Sequence, residues 1–272
     1  MTPTSSTDPD LTRKEKREQA RAERKALEAS AAQAARRGRM IQLGGVIGAV
    51  VVIVVVILLA TSGSKKSGLV GGGTKNPEVA AVTALVGGIH QSGNVLGNPN
   101  APVTLQYFGD LECPICKEFT LGDLPTLIPK YVRTGKLKIE YHSMETATHE
   151  PETFRTQQIA ALAAGKQNLG WYYIELFYHE QGEEDSGYVT ESYLQGLAQQ
   201  VPGLNLPDWS AARNDPALAE QITRDAQTVT QQGFTGTPSF LLGKSGGSLQ
   251  QFKPESFTEP GSFEAAINKL LS

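Results

Sequence analysis

The sequence predicts an α/β domain that follows a single transmembrane helix. Two observations lead to this fold class. Residues 40–60 contain no ionisable side chain, and from about residue 85 to residue 272 segments typical of strands alternate with segments typical of helices. Hydrophobic residues make up 39% of the chain and charged residues 19%, a composition that supplies a buried core and excludes a largely disordered protein.

Charge is distributed unevenly along the chain. The formal net charge is -3, yet residues 1–39 contain ten Lys and Arg against six Asp and Glu, so the remainder is acidic. An acidic main domain argues against nucleic acid as a partner. Residues 1–39 contain almost no large apolar side chain, so we expect a solvated, basic tail.

Residues 40–60 are predicted to form the transmembrane helix. About 20 apolar residues, rising about 1.5 Å each, span the hydrocarbon core of a bilayer. The alternatives are a buried globular helix, which rarely lacks polar residues over so many turns, and a cleaved signal peptide, whose apolar core is shorter. Arg36, Arg37 and Arg39 precede the run. The positive-inside rule therefore predicts a single-pass protein of the cytoplasmic membrane, with residues 1–39 in the cytoplasm and the C-terminal domain extracytoplasmic.

A flexible linker is predicted at residues 61–84, which are small, polar and rich in Gly, and the folded domain at residues 85–272. Residues 205 and 215 are predicted helix N-caps, since Asn205 and Asp215 each precede a helical pattern. The predicted strands are residues 103–108, 137–143 and 239–243, with a fourth at 249–253, and the predicted helices include one that ends near residue 132, several between residues 145 and 232, and one at 262–271.

The main chemical signal is the motif Cys113-Pro114-Ile115-Cys116, which holds both cysteines of the chain. It stands at the predicted start of a helix, where residues i and i+3 share a face and can form a disulfide. The helix N-terminus favours a thiolate, so Cys113 is the expected nucleophile and Cys116 the second thiol of an exchange reaction. An extracytoplasmic compartment is oxidising, which suits a pair of cysteines that cycles.

Two other interpretations of the motif stay open. A stapling disulfide would stabilise little, because it closes a very short loop. A zinc site would need two more ligands, and the four histidines show no paired spacing. A second motif, Thr237-Pro238, lies between a helix end and a strand; its peptide bond is either cis, as a deliberate local feature, or trans at the start of an edge strand.

Together these residues resemble a known family. The run VTLQYFGDLECPICKEF and the later GFTGTPSF are similar to the DsbA-like branch of the thioredoxin superfamily, over essentially all of residues 87–272. The resemblance implies a thioredoxin-like fold with a helical insertion at about residues 145–232. It also implies disulfide exchange at the Cys113 sulfur, Cys116 as the resolving thiol, and Thr237-Pro238 as a cis-proline loop beside them.

Three further residues near the motif have open roles. Asp110 matches an acidic position frequent in such motifs; it is a candidate proton acceptor, but it could equally cap the helix or face solvent. Glu112, if unpaired, would raise the pKa of the neighbouring thiol. Ile115 replaces a His or aromatic residue found in some relatives, which leaves the redox potential open.

We therefore predict a membrane-tethered thiol-disulfide oxidoreductase that donates its Cys113-Cys116 disulfide to cysteine-containing secreted or envelope proteins. The resemblance implies a membrane partner of the DsbB or vitamin K epoxide reductase type that reoxidises the pair, and no bound cofactor or metal. The alternatives are a reductase or isomerase of the same fold and, from a different class, a copper or other metal chaperone that binds through the two cysteines.

Overall fold

The computed structural model describes residues 76–272. The described residues do not include the predicted tail at residues 1–39, the predicted transmembrane helix at residues 40–60 or most of the predicted linker. Among residues 76–272 there is no helix with the length and apolar character needed to cross a bilayer.

A mixed six-stranded sheet forms the centre of the domain, in the strand order β1-β2-β4-β3-β5-β6. The central pair, β3 and β4, is parallel, with Val103 opposite Leu137, and β5 runs antiparallel to β3. This confirms the α/β class and the predicted strands. The strands are β1 (Gln91–Ser92), β2 (Val95–Leu96), β3 (Val103–Gly109), β4 (Leu137–Ser143), β5 (Ser239–Lys244) and β6 (Gln250–Phe252).

Nine α-helices accompany this sheet within residues 76–272. They are α1 (Pro77–Val86), α2 (Pro114–Gly122), α3 (Leu124–Leu127), α4 (Pro151–Gly165), α5 (Gly170–His179), α6 (Glu191–Gln200), α7 (Leu206–Ala212), α8 (Pro216–Gln232) and α9 (Gly261–Leu271). Helices α4 to α8 all lie between β4 and β5, inside the range predicted for the insertion.

Strand β3 is buried along both faces and leads directly to the cysteine motif. On one face, Tyr107 packs against Phe119 of α2 and Phe240 of β5, with ring centroids 5.0 and 5.6 Å away. On the other face, Phe108 packs with Met144 and Leu241. Because apolar groups cover both faces, the position and direction of the strand end are well fixed.

The prediction of a linker up to residue 84 is wrong for its last residues. Helix α1 begins at Pro77, with the Asn76 side chain accepting a hydrogen bond from the Glu78 amide, and Val82 and Val86 are fully buried. Asn followed by Pro is an N-cap and first-turn signal. The residues after Pro77 are mostly Ala and Val, and the buried valines pack α1 against the domain. The folded domain therefore begins before residue 85.

The helix predicted to reach residue 132 is interrupted. It ends at Gly122, resumes as α3, and continues as a π-helical turn at Ile128–Val132. Pro125 and Pro129 lack the amide hydrogen that a continuous helix would use, which explains the change of hydrogen-bond pattern. The short hairpin of β1 and β2, with Gly93 at φ 59°, is absent from the sequence prediction.

The predicted caps in the insertion are confirmed. The Asn205 side chain accepts a hydrogen bond from the Asp208 amide at the start of α7, and the Asp215 side chain accepts one from the Ala217 amide at the start of α8. Helix α8 ends at Gly233, whose φ of 66° is the left-handed conformation that glycine adopts without strain. The chain that leaves this cap leads to Thr237-Pro238.

Candidate active site

Cys113 is the N-cap residue of α2, and both cysteines are free thiols. The Cys113 sulfur accepts a hydrogen bond from the Cys116 amide at 3.4 Å. Cys113 is 5% exposed, whereas Cys116 is fully buried. A thiol at this position faces the unpaired amides and the positive end of the helix dipole, which stabilise its anion. Cys113 is therefore the sulfur that a partner can reach.

The pKa values of the two thiols are shifted in opposite directions. A hydrogen bond from the Cys116 thiol is the largest cause that lowers the pKa of Cys113 to about 7; burial opposes it, and bonds from Thr237 and from backbone amides add to it. Burial raises the pKa of Cys116 well above its usual range. At neutral pH a large fraction of Cys113 is thus the nucleophilic thiolate, and Cys116 is protonated.

The loop before β5 brings Thr237-Pro238 against the motif. The Thr237-Pro238 peptide bond is cis, which decides between the two alternatives left by the sequence. The Cys113 thiol donates a hydrogen bond to the Thr237 carbonyl at 3.6 Å. Residues 124 positions apart in sequence therefore form one site, because β5 pairs with β3 and its N-terminal end lies beside the end of β3.

This arrangement joins a CxxC motif at a helix N-terminus to a cis-proline, and residues 90–253 match a family model described as thioredoxin. The chain belongs to this thioredoxin family. Among its relatives, disulfide bond formation protein D of Bacillus subtilis is 24% identical over 153 residues, which cover 54% of this chain and 66% of the relative.

Solved structures of the thioredoxin family agree with the fold. Oxidised BdbD from Bacillus subtilis superposes with a TM-score of 0.56 at 21% identity, over 67% of this chain and 97% of that chain. Wolbachia pipientis alpha-DsbA1 gives a TM-score of 0.55 at 19% identity, over 65% of this chain and 89% of that chain. With the dithiol site, the family match and these relatives, the activity of this DsbA-like member is that of a protein-disulfide oxidoreductase.

Asp110 lies at the end of β3, fully buried, and its carboxylate accepts five hydrogen bonds. One oxygen accepts from the Glu112 amide and the Thr148 hydroxyl, at 3.1 and 2.6 Å. The other accepts from the consecutive amides of Thr146, Ala147 and Thr148, at 2.9 to 3.0 Å. These contacts make Asp110 the anchor of the loop after β4; its action as a proton acceptor stays a prediction.

The anchored loop connects to the cis-proline through one side-chain contact. The hydroxyls of Thr146 and Thr237 are 2.5 Å apart, and the Thr237 hydroxyl is one of the groups that lower the pKa of Cys113. The sequence analysis did not single out Thr146. A chain of contacts therefore leads from Asp110 through Thr146 and Thr237 to the reactive sulfur.

A glutamine from the insertion holds the backbone of the motif. The Gln181 side-chain amide donates to the carbonyls of Leu111 and Cys113, at 2.7 and 3.1 Å. The Lys117 ammonium donates to the Gln181 carbonyl at 3.2 Å. Sequence reasoning also missed Gln181, because it follows α5 and carries no motif of its own.

Glu112, which precedes the nucleophile, and Ile115, which lies between the two cysteines, differ in exposure. Glu112 is almost completely buried, and burial raises its pKa, with a hydrogen bond from Thr148 acting in the opposite direction. Ile115 is 37% exposed, so an apolar side chain faces solvent inside the motif itself.

Metal binding has little support from the geometry. Within residues 76–272 there is no group of three or more His, Cys, Asp or Glu side chains that could hold a metal ion. The motif supplies two thiolate ligands, and a closed zinc site needs four ligands.

Proposed function

We propose that this oxidoreductase is a membrane-tethered disulfide donor that acts on the extracytoplasmic side of a bacterial cytoplasmic membrane. The observation that carries this proposal is the position of the Cys113 sulfur, which caps the N-terminus of α2 and accepts a hydrogen bond from the Cys116 amide at 3.4 Å. Groups that stabilise this thiolate stabilise the reduced protein relative to its disulfide, which makes the disulfide more oxidising.

The proposed reaction is a thiol-disulfide exchange. A client thiolate attacks the Cys113 sulfur, the Cys113-Cys116 bond breaks, and its electron pair passes to the Cys116 sulfur. A second client thiolate then attacks the client sulfur of this mixed disulfide, and Cys113 leaves as a thiolate. The client gains a disulfide, and the motif gains two electrons. Thr237-Pro238 offers its backbone beside the mixed disulfide, where an extended client segment can bind.

The membrane anchor is supported by the sequence alone. Residues 40–60 have the length and composition of a bilayer-spanning helix, and Arg36, Arg37 and Arg39 precede them. This topology puts the motif in an oxidising compartment, in which a donor can remain charged with its disulfide. The names of relatives such as disulfide bond formation protein D support the same direction of transfer.

Two kinds of partner belong to the proposal. The clients are secreted or envelope proteins with pairs of cysteines. The reduced motif must then pass its two electrons to an oxidant in the membrane, and a quinone-linked enzyme of the DsbB or vitamin K epoxide reductase type has the required chemistry.

A reductase direction is the second candidate, because one observation favours it. The pKa of Cys113, about 7, lies near that of the reducing protein thioredoxin, about 7, and above that of the oxidant DsbA, about 3.5. The pKa of the nucleophile alone does not fix the potential, since the stability of the disulfide form contributes equally.

The reduction potential separates these directions. The full chain in detergent would be equilibrated with glutathione buffers, and the Cys113-Cys116 pair quantified by alkylation and mass. A potential near about -120 mV would support disulfide donation, whereas one near about -270 mV would support a reductase. A chain that never forms the disulfide would contradict both.

The anchor needs its own experiment. Membranes that contain the chain would be washed with carbonate, and intact spheroplasts treated with protease. We expect the chain to stay with the membranes and the domain from residue 77 onward to be cut from outside. Release by carbonate, or protection of the domain until the membrane is opened, would contradict the proposed topology.

A further inference from the structure

A cleft of about 410 Å³ lies between α1, the helix segments that follow the cysteine motif, and α5. Most of its lining is apolar and includes Leu85 of α1, Leu121 of α2 and Pro125 of α3. Leu121 is 36% exposed, which is high for a large hydrophobic side chain in this domain. A volume of this size with a mainly apolar lining is typical of sites that bind small organic molecules.

Two buried polar side chains line the same cleft without a hydrogen-bond partner. Glu175 and Thr120 are fully buried, and among the described residues no group bonds to the carboxyl oxygens of Glu175 or to the Thr120 hydroxyl. Buried polar groups in native proteins are nearly always paired, so an unpaired carboxyl group in the wall of a cleft needs an explanation. A ligand in the cleft would supply the missing partner.

The charges around Glu175 favour a cation as that ligand. Burial is the sole cause that raises the pKa of Glu175 to about 8, so no charged side chain of residues 76–272 compensates its carboxylate. His179, one turn further along α5, also lines the cleft, and burial is the largest cause that lowers its pKa, so it is neutral at pH 7 and above. The charged groups near His179 are Glu78 of α1, Lys117 of α2 and Glu180.

The chemistry of the lining selects an organic cation. A metal ion would find too few ligands, because residues 76–272 contain no group of three or more His, Cys, Asp or Glu side chains that could hold one. A primary ammonium group has three N–H donors, and the oxygens of Glu175 and Thr120 can accept them. A hydrocarbon chain attached to the ammonium would lose its contact with water against the apolar lining.

We propose that this cleft binds a small aliphatic primary amine, whose ammonium group pairs with Glu175 and Thr120 and whose hydrocarbon chain packs against α1, α2 and α3. Below the pKa of Glu175, the carboxyl group releases its proton to solvent as the ammonium binds. Neither thiol lines the cleft, so the binding holds whichever direction the disulfide exchange takes.

The test is a titration of the full chain in detergent with butylamine, followed by NMR of isotope-labelled alanine methyl groups. We expect the signals of Ala81 and Ala84, which line the cleft, to shift and saturate. Butan-1-ol has the same hydrocarbon chain without the charge and should bind about tenfold more weakly, the value of one hydrogen bond to a charged group. Equal binding of the alcohol and the amine, or no shift with either, would overturn the proposal.

Glu175→Gln and Glu118→Gln form a matched pair of variants. Each removes one carboxylate, but Glu118 is exposed on α2 and does not line the cleft. Glu175→Gln should weaken butylamine about tenfold and leave butan-1-ol within about twofold, whereas Glu118→Gln should change neither. This selective loss distinguishes a lost ion pair from a damaged cleft. If Glu175→Gln binds butylamine as tightly as Glu118→Gln does, the proposal is wrong.

The affinity for butylamine should depend on pH in the unmodified chain. From about pH 7 to about pH 9 we expect it to rise about tenfold, because the ionised fraction of Glu175, whose pKa is about 8, rises by that factor. The amine stays charged over this range, since its pKa is close to that of lysine, about 10.4. The rise should be absent in Glu175→Gln. An affinity that does not change with pH in the unmodified chain would contradict the pairing of the ammonium with Glu175.

Two further arms define the place and the source of the amine. Ala84→Phe fills the cleft from an exposed position of α1 and should abolish the shift of the Ala81 signal; an unchanged titration would overturn the proposal. Nα-acetyl-lysine amide should bind more weakly than butylamine, because the apolar lining offers no partner to its peptide groups. Tighter binding would assign the cleft to a lysine side chain of a protein and would contradict a small free amine. The reduction potential of the motif does not enter these titrations, so their failure is distinguishable from that of the proposed function.

Discussion

Two fully buried carboxyl groups, Asp110 and Glu175, have opposite surroundings. Asp110 follows β3 and accepts five hydrogen bonds, three of them from consecutive amides. Glu175 lies on α5, and neither of its carboxyl oxygens has a hydrogen-bond partner. Burial alone raises the pKa of Glu175 to about 8. The two groups therefore differ in what compensates their burial, since Asp110 has five hydrogen-bond donors around it and Glu175 has none.

The regions around the two carboxyl groups are held together in different ways. The donors around Asp110 fix an irregular loop that would otherwise be mobile, and that loop contacts the residue before the cis-proline. Glu175 holds no neighbouring segment in place, because its carboxyl oxygens have no hydrogen-bond partner. Above the pKa of Glu175, its uncompensated negative charge lies in an apolar environment. One carboxyl group thus stabilises the active site, while the other makes the insertion sensitive to pH.

The largest expected effect is that of Asp110→Ala. This change leaves the amides of Thr146, Ala147 and Thr148 without their acceptor, so we expect a loss of about 4 kcal/mol in the free energy of unfolding. Denaturant titration measures it. Asp208→Ala, on the exposed first turn of α7, is the control and should change stability by less than about 1 kcal/mol. Equal effects of the two variants would show that the hydrogen bonds to Asp110 contribute little.

Glu175→Gln should have a somewhat smaller effect, of opposite sign. The folded pKa, about 8, lies above the unfolded value of about 4.3, so the folded state binds the extra proton between these values and stability falls as pH rises through this window. The variant should match the unmodified chain near pH 4.5 and exceed it by about 3 kcal/mol near pH 7. The measurement is unfolding by denaturant at several pH values.

The control for this prediction is Glu184→Gln, in the exposed loop after α5. Its curve of stability against pH should run parallel to that of the unmodified chain. If Glu175→Gln also gives a parallel curve, Glu175 does not carry an elevated pKa in the folded protein, and the contrast with Asp110 disappears.

The sequence predicted the parts of the site that local chemistry encodes. Cys113 and Cys116 are visible from their spacing at a helix start, and Thr237-Pro238 from the position of a proline before a strand. The role of Asp110 could not be predicted in the same way, because four of its five donors lie 36 to 38 residues away in a loop without any periodic pattern. Thr146 and Gln181 were missed for the same reason.

Other features of the fold are encoded by local signals in the sequence. Asn76 before Pro77 is an N-cap signal, which the Gly-rich composition of the preceding stretch obscured. Pro125 and Pro129 could have predicted the interruption of the helix after the motif. Glu175 stands in the run GWYYIELFYH, which is apolar on all sides of a helix, and such a helix is buried all round.

The smallest expected effect concerns Thr146, which links the loop bound by Asp110 to Thr237 beside the reactive sulfur. Thr146→Val removes the hydroxyl that pairs with Thr237, while the amide of residue 146 still binds Asp110. The Thr237 hydroxyl, which helps to lower the pKa of Cys113, then loses the partner that orients it. We expect the pKa of Cys113 to rise by less than about one unit, since one of several hydrogen bonds to the thiolate weakens, and the free energy of unfolding to change by less than about 1 kcal/mol.

The measurement is the pH dependence of Cys113 alkylation by iodoacetamide, read by mass. Thr148→Val is the matched control, since Thr148 also binds Asp110 through its hydroxyl but does not contact Thr237. It should reduce stability and leave the pKa of Cys113 in place. If instead Thr148→Val shifts the pKa and Thr146→Val does not, then Asp110 acts on the thiol through the general rigidity of the loop, and the contact of Thr146 with Thr237 has no separate role.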